Sequence, residues 1–213
     1  MRALWKPSSE VAIPDDLWCY RLDRRSWVAG GALSNGGNAV AWLRRTLRLG
    51  DSAEMDARVG ALEADGHGLT VLPFLRGERG PGWRQENTAS VVGLTDVNRP
   101  EEILRAWMEA VAYRVGRVAH RLEEVVGPAR EVVASGGALH SSPAWTQILA
   151  DTLDRPVTLA TESEDTSRGA ALVALEALGH IPDPRALEPP TARVFTPRSD
   201  AHARHEAAMS RQQ

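Results

Sequence analysis

Apolar residues recur at helical spacing through one long stretch of the chain, residues 100–126. Pro100 suits the first position of a helix, and Glu101 and Glu102 place negative charge at its positive end. The apolar positions keep this period up to Gly127, which suits a helix end. They are Ile103, Leu104, Trp107, Ala110, Val111, Val115, Val118, Leu122 and Val125. The pattern therefore predicts one long helix from Pro100 to the residue before Gly127.

Short apolar runs alternate with further amphipathic stretches along the rest of the chain. The predicted strands cover residues 27–31, 69–74, 89–94, 131–134 and 156–160, and the predicted helices cover residues 38–49, 52–66, 143–153 and 165–178. Ser34 or Asn35 is the expected cap of the first helix, and Asp165 or Thr166 that of the last. A mixture of strands and helices in this order predicts an α/β fold.

The two ends of the chain follow a different pattern. Residues 1–26 carry isolated aromatics with little period, which indicates an extended edge segment or one that needs a neighbour. From His180 onward proline density rises, so residues 181–213 are expected to be a mostly irregular tail, helical again from Asp200. The predicted organisation is thus an extended segment (1–26), a central domain (27–180) and a tail (181–213).

Composition narrows the class of protein. The 213 residues carry a net charge of −3, with 43% apolar and 25% charged residues, as in an ordinary globular protein. Nucleic acid and anionic membranes both require a basic face, so neither is expected as a partner. No apolar run approaches the ~20 residues of a membrane span, and no secretory signal opens the chain. Cys19 is the only cysteine, which excludes an internal disulfide and favours a cytoplasmic location.

Two paired-glycine turns are the clearest candidates for chemistry. Residues 135–138 (Ser-Gly-Gly-Ala) follow a predicted strand, and residues 34–37 (Ser-Asn-Gly-Gly) precede a predicted helix. Glycine lets a ligand approach the backbone closely, and a helix start offers free N–H groups to a polar or anionic group. Each turn alone is equally compatible with a tight turn that binds nothing. Together they raise the possibility of a nucleotide cleft.

Other polar groups give weaker signals. The loop at residues 77–83 combines charge, glycine and an aromatic, so it either contacts something or is solvated with a surface Glu78–Arg79 pair. His202 and His205 lack a carboxylate or cysteine partner at ligand spacing, so a solvated tail and no metal site are expected. The tryptophans on apolar helical faces are expected in the core. They are Trp42, Trp107 and Trp145.

Several stretches, in order, resemble the C-terminal domain of the FGGY family of carbohydrate kinases, most closely its gluconokinase-like and xylulokinase-like branches. The similar stretches are residues 33–43, 72–83, 89–94, 102–109, 135–138, 145–151 and 165–171. They include the Gly-Glu-Arg loop, the second family signature and the adenosine motif of that family. Trp107 departs from the pattern, because its position is usually smaller or aliphatic.

The resemblance implies an actin-like ATPase (ribonuclease H-like) domain, a mixed sheet flanked by helices, with ATP bound against it. Mg²⁺ would accompany the ATP. In the family, the backbone at Gly137 and the residue at Ser141 contact adenine and ribose, while Gly37 and Ala41 line the other wall. Ala41 and Ser141 depart from the amide side chains of some relatives. The implied nucleotide-binding set is Gly37, Ala41, Gly136, Gly137, Ala138 and Ser141.

The catalytic residues of the family are not expected in this sequence. Family members also have an N-terminal domain, with an Asp-x-Gly-Thr turn, the sugar pocket and the catalytic aspartate, and these motifs do not occur here. The resemblance therefore implies the ATP-side half of a sugar or sugar-acid kinase, inactive alone. Asp51, Asp96 and Asp151 are better explained as a cap, a turn residue and an exposed helix acid than as replacement bases.

Three interpretations remain open on the sequence. The chain is a fragment or one chain of a split kinase, a stand-alone nucleotide-binding or regulatory module without catalysis, or a decayed remnant. Under the first, residues 1–26 and the cleft face would be incompletely buried, which predicts a separate N-terminal kinase chain or self-association. Under the first two, an adenine nucleotide is the expected small-molecule partner, whereas a decayed remnant would keep the structure without a ligand.

Overall fold

The computed structural model describes residues 1–7, 11–23, 26–50, 52–161, 165–184, 187 and 191–212. The strands are β1 (Arg2–Trp5), β2 (Trp18–Arg21), β3 (Trp27–Gly30), β4 (Thr70–Leu72), β5 (Ser90–Val92), β6 (Val132–Ala134), β7 (Val157–Ala160) and β8 (Thr191–Phe195). The helices are α1 (Gly37–Thr46), α2 (Ser52–Ala61), α3 (Pro100–Val126), α4 (Gly137–His140), α5 (Pro143–Leu153), α6 (Asp165–Ala177) and α7 (Ser199–Ser210). Each strand and helix predicted within residues 27–178 is confirmed, with shorter ends in most cases.

Within the described residues, the strands form three small sheets. In the first, β3 lies between β1 and β2 and is antiparallel to both, with Val28 opposite Leu4 and Tyr20. The hairpin β4–β5 forms the second. In the third, β7 pairs in parallel with β6 and antiparallel with β8, so this sheet is mixed. The extended character predicted for residues 1–26 is confirmed for β1 and β2, whereas the three-part domain division stays a prediction.

The long helix α3 lies at the centre of the core, as its period predicts. None of its nine predicted apolar positions is exposed, and Leu104 and Met108 are fully buried. Trp107 and Trp145 are in this core as expected. Trp42 is not in the core, because it is 37% exposed and contacts the core through a tilted ring pair with Trp107. A helical period identifies the side of a helix that faces the core, but it does not show how much of that side is covered by other elements.

The prediction of a mostly irregular, solvated tail is wrong, although its helix near Asp200 is confirmed. β8 adds an antiparallel strand to β7, and α7 packs on α5 and α3. His205 is 1% exposed, not solvated, because it lies on the same face of α7 as Ala201 and Ala208. Tyr113 on α3 meets the His205 ring edge-on, with ring centroids 5.6 Å apart.

Within the part of the chain that the structure describes, the helices are too short or too polar to cross a membrane.

Candidate functional site

The two paired-glycine bends lie side by side in the folded chain. A Cβ atom placed on Gly37, the first residue of α1, would lie 2.9 Å from the Cβ of Ala138 in α4. Real Cβ contacts are almost never that short, so the approach of the two bends requires glycine at residue 37. A Cβ on Gly36, Gly136 or Gly137 would meet nothing within 4 Å, so these glycines border open space.

The second bend has a backbone conformation that glycine favours. Gly136 adopts φ +102° and ψ +146°, a region that residues with a side chain rarely enter. Its carbonyl oxygen accepts hydrogen bonds from the N–H groups of Leu139 and His140, both at 3.1 Å. The Gly137 carbonyl accepts one from the Ser141 N–H at 3.0 Å. The bend is therefore a single closed turn, and its exposed face carries backbone rather than bulky side chains.

The first bend is capped differently from the prediction. Neither Ser34 nor Asn35 caps α1 with its side chain, because Gly36 is the N-cap. The Oδ1 atom of Asn38, inside the helix, accepts from the Gly36 N–H at 2.8 Å. The Nδ2 of Asn38 donates to the Ser34 carbonyl at 3.1 Å. This bond satisfies the N–H of the N-cap residue itself, whereas a capping side chain would accept from the N–H groups of the first helical turn.

Asn35 instead connects the first bend to the Gly-Glu-Arg loop. Its side chain is buried, donates to the Gly77 carbonyl at 3.0 Å and accepts from the Arg76 N–H at 3.2 Å. Three residues further along the loop, the Gly80 N–H donates to the Ala32 carbonyl at 2.8 Å. These bonds order the loop against the strand end that leads into the first bend.

The surface Glu78–Arg79 pair considered for this loop does not form. Glu78 is 7% exposed, and its carboxylate contacts the buried guanidinium of Arg114 on α3 and accepts from Asn87 at 2.8 Å. Arg79 lies over the Trp83 ring instead. Burial lowers the pKa of Arg114, and the nearby Glu78 charge acts in the opposite direction. The loop is therefore anchored in the core by an ion pair, not solvated.

The remaining predicted site residues lie on the same two elements. Ala41 is exposed one turn into α1, and Ser141 is exposed at the end of α4. The Ser141 hydroxyl donates to the Ala138 carbonyl at 3.2 Å. Ala138 itself is half-buried and packs against the main core. The tertiary structure thus brings all six predicted residues onto two adjoining elements, and their contact with a nucleotide stays a prediction.

Two groups behind the second bend were missed from the sequence. Ser142 is the N-cap of α5, and its Oγ accepts from the Trp145 N–H at 3.2 Å. The Ser-Pro pair at residues 142 and 143 is a helix-start signal that could have identified it. Asp56 of α2 contacts Ser142, and no local pattern in the sequence indicates that contact.

One cluster has the composition of a metal site but not the free donor atoms. Asp65, His67 and Glu109 have potential ligand atoms within 4.8 Å of one another. The Nδ1 of His67 accepts from the Leu69 N–H at 3.0 Å, which places its proton on Nε2, facing Glu109 at 3.0 Å. Glu109 also pairs with Arg105 at 2.6 Å. A metal ion would have to displace that proton and compete with an arginine, so the cluster fits an ion network.

Of the three carboxylates considered as replacement bases, the structure describes Asp96 and Asp151. Asp96 is exposed in a turn, as predicted. Asp151 was expected to be exposed, yet it is 0% exposed and pairs with Arg198 at 2.6 Å. The segment before α7 covers it, and the arginine supplies its counter-charge. Asp51 lies outside the described residues.

Comparison with known proteins matches most of the chain to one family. A sequence model of the C-terminal domain of the FGGY family of carbohydrate kinases matches residues 9–178. A gluconokinase of Bacillus licheniformis is 32% identical over 177 residues, which are 78% of this chain and 34% of the relative. A glycerol kinase of Methylorubrum populi is 35% identical over 164 residues, 75% of this chain and 32% of the relative.

Solved structures match over nearly the whole chain. A ligand-bound xylulose kinase of Lactobacillus acidophilus superposes with a TM-score of 0.86 at 25% identity, covering 98% of this chain and 43% of that one. The gluconate kinase of the same organism gives 0.82, also at 25% identity, with the same coverage. The fold is accordingly α/β of the actin-like ATPase type, as predicted. The chain spans about a third of its curated relatives and 43% of these solved chains.

Proposed function

Because this chain belongs to the FGGY family of carbohydrate kinases, we propose that it is the ATP-binding half of such an enzyme. In the complete enzyme, the bound ATP would give its terminal phosphoryl group to a hydroxyl of a sugar or a sugar acid. The gluconokinase and gluconate kinase relatives support a sugar acid such as gluconate. The single observation that carries the proposal is the close approach of two glycine bends that present open backbone on one side.

The geometry suits the base and ribose of a nucleotide. Gly136 and Gly137 leave space above the second bend, and the flat face of a base needs such an approach to the backbone. Ser141 offers a hydroxyl at the end of the same turn. Gly37, which has no side chain, and Ala41, which has a small one, would form the facing wall and leave room for a ligand. The start of α1 adds positive helix-end potential, which favours the phosphate side of the molecule.

The residues of this chain would bind and orient ATP rather than carry out the chemistry. Phosphoryl transfer depends on in-line positioning and on charge stabilisation around the transferred group. Mg²⁺ would arrive bound to the phosphates and neutralise part of their charge. We propose that a second half, in the same polypeptide or in another chain, contributes the acceptor pocket and the base. These 213 residues by themselves would then be inactive.

Substitution of Gly137 by valine tests the nucleotide site directly. A Cβ atom at residue 137 would meet no protein atom within 4 Å, so the fold should tolerate valine there. The valine methyl groups would occupy the space proposed for the nucleotide. For the wild-type chain we expect ATP near its Kd to raise the thermal midpoint by about 1–2 °C, because a ligand at its Kd adds only RT ln 2, about 0.4 kcal/mol, to the free energy of unfolding. Gly137→Val should abolish this shift and any ADP binding measured by calorimetry.

Gly50→Val is the matched control, since Gly50 also borders open space but follows the far end of α1. It should bind ADP like the wild-type chain. Unchanged ADP affinity in Gly137→Val would refute the proposed place of adenosine. A rise of many degrees in the wild type already at micromolar ATP would instead mean that this chain contains a complete pocket, because such a rise requires a Kd far below the ligand concentration.

A further inference from the structure

The second glycine bend is held by a buried carboxylate that belongs to a different helix. Asp56 lies in the middle of α2 and is 7% exposed. Its Oδ1 accepts a hydrogen bond from the Ser142 hydroxyl, and its Oδ2 accepts one from the Ala144 N–H at 3.1 Å. Ser142 closes the bend, and Ala144 belongs to the first turn of α5. One carboxylate therefore contacts the chain on both sides of the point where the bend becomes a helix.

Asp56 completes the hydrogen bonding at the start of α5. Pro143 has no N–H group, and the Trp145 N–H donates to the Ser142 hydroxyl oxygen. The Ala144 N–H is buried and donates to Asp56. Without that carboxylate the Ala144 N–H and the Ser142 hydroxyl proton would both lose their partner inside the protein. The bend could recover those bonds only by turning toward solvent.

The charge of Asp56 is also matched to this position. Among the residues that the structure describes, no arginine, lysine or histidine forms an ion pair with it. Its counter-charge is the positive end of the 11-residue helix α5, where an anion is stabilised by the helix dipole and by N–H donors. The attraction between this carboxylate and the helix end thus holds α2 against the bend.

Close packing between the two helices leaves Asp56 little freedom. One turn along α2, a Cβ atom at Gly60 would lie 3.5 Å from the Cβ of Ala144, which is ordinary van der Waals contact. The backbones of α2 and α5 therefore approach closely beside Asp56. A displaced bend would therefore move the Ser142 hydroxyl and the Ala144 N–H away from Asp56.

We propose that Asp56 is a positioning residue for the nucleotide site. By holding Ser142 and Ala144, it keeps residues 136–142 in the conformation that presents Gly137 and Ser141 to base and ribose. This inference rests on the proposed function, because the ligand is the adenine nucleotide proposed above. Asp56 touches no ligand itself, and its effect passes through the backbone of the bend.

The test compares Asp56→Leu and Asp56→Asn with Glu54→Ala, a control acid on the same helix that is 64% exposed. Hydrogen exchange of the amides in residues 137–142 reports the bend, and exchange in α3 reports the overall fold. NMR titrations with ADP and with adenosine report binding. In Asp56→Leu we expect the bend amides to exchange faster, and both ligands to bind about tenfold more weakly, the equivalent of about 1.4 kcal/mol.

The affinities for ADP and for adenosine should fall by the same factor, because the bend is proposed to contact adenosine and not the phosphates. A general loss of stability would instead speed exchange in α3 as well. Asp56→Asn keeps one acceptor oxygen, so its effect should lie between those of the wild type and Asp56→Leu. If Asp56→Leu does not fold, Ser142→Ala removes only the hydroxyl and should loosen the bend selectively.

The possible failures are distinguishable. A wild-type chain that binds neither ADP nor adenosine at millimolar concentration refutes the proposed function, and with it the ligand named here. Wild-type binding that persists unchanged in Asp56→Leu overturns the positioning role and leaves nucleotide binding intact. Bend amides that exchange at the wild-type rate in Asp56→Leu, or in Ser142→Ala where Asp56→Leu does not fold, overturn the positioning role whatever the ligands do.

Discussion

Glu109 keeps a negative charge inside the core because four groups face its carboxylate. Arg105 contacts it at 2.6 Å, His67 at 3.0 Å and the Tyr113 hydroxyl at 3.2 Å, and the Asp65 N–H lies at 3.3 Å. Burial by itself would raise the pKa of Glu109, but the hydrogen bond from His67 and the charge of Arg105 outweigh it. Its pKa is therefore lowered, and its contribution to stability is lost only as the pH falls through that lowered value.

His205 adds a buried base to the network around the Glu109 carboxylate. Tyr113 donates to Glu109, so the Tyr113 oxygen accepts a hydrogen bond from the His205 Nδ1–H at 3.0 Å. Burial lowers the pKa of His205 below its ordinary value, although Glu109 acts in the other direction. Below about pH 6.5 the unfolded chain binds a proton at this residue that the folded chain resists.

The lowered pKa of His205 predicts a pH dependence of stability. As the pH falls from about 6.5 to 5, the free energy of unfolding of the wild type should decrease, because proton binding favours the unfolded state. His205→Gln should flatten this part of the curve, while His120→Gln, at an exposed histidine of α3, should not. Urea unfolding midpoints at pH 7, 6 and 5 measure this pH dependence for each variant. Parallel curves for His205→Gln and the wild type would contradict the assignment.

At the scale of elements, the C-terminal strand and helix are part of the core architecture. β8 extends the sheet of β6 and β7, and α7 covers α5 and α3. The end of the chain is also attached, because the Gln212 side chain donates to the Val71 carbonyl at 2.8 Å and Arg211 pairs with Asp65 at 2.5 Å. These contacts join residues more than 140 positions apart in the chain.

Asp151 on α5 provides the test of this attachment. Its carboxylate accepts from the Arg198 N–H at 2.8 Å and from the Gln147 side chain at 2.9 Å, besides the Arg198 guanidinium. Asp151→Leu should lower the free energy of unfolding by about 2 kcal/mol in urea, since it leaves several donors unpaired and Arg198 is partly exposed. Glu206→Leu, an exposed acid on α7, should change it by less than about 0.5 kcal/mol. Equal midpoints for the two variants would show that the segment before α7 is attached by other contacts.

At the scale of the whole molecule, the proposed nucleotide wall lies in this chain, whereas the proposal assigns the chemistry of phosphoryl transfer to a second half. The described residues bring the two glycine bends together without any help from a second domain. The matched part covers about a third of each curated relative, so the remaining two thirds of those enzymes have no counterpart in the match. The proposed binding surface and the proposed catalytic assembly can therefore be tested independently.

The 213 residues alone should not phosphorylate gluconate. Positioning and charge stabilisation around the phosphates would require the second half, and each contributes several orders of magnitude to the rate. A coupled assay of ADP release with ATP and gluconate measures this, with an intact gluconokinase as positive control. Gluconate-dependent turnover by the purified chain that disappears in Gly137→Val would overturn the division into halves. ADP binding without turnover, even after a complementary half is added, would favour the non-catalytic module.

The sequence by itself determined the local elements and the family. The helical period placed α3 and its core face, the Gly-Gly pairs marked both bends, and the ordered motifs indicated the actin-like fold, because each depends on neighbouring residues. Only the tertiary structure decided that Gly37 meets Ala138, that Glu78 pairs with Arg114, and that Asp151 and His205 are buried. Those outcomes depend on residues 36 to more than 100 positions apart, and no local pattern encodes which distant groups will meet.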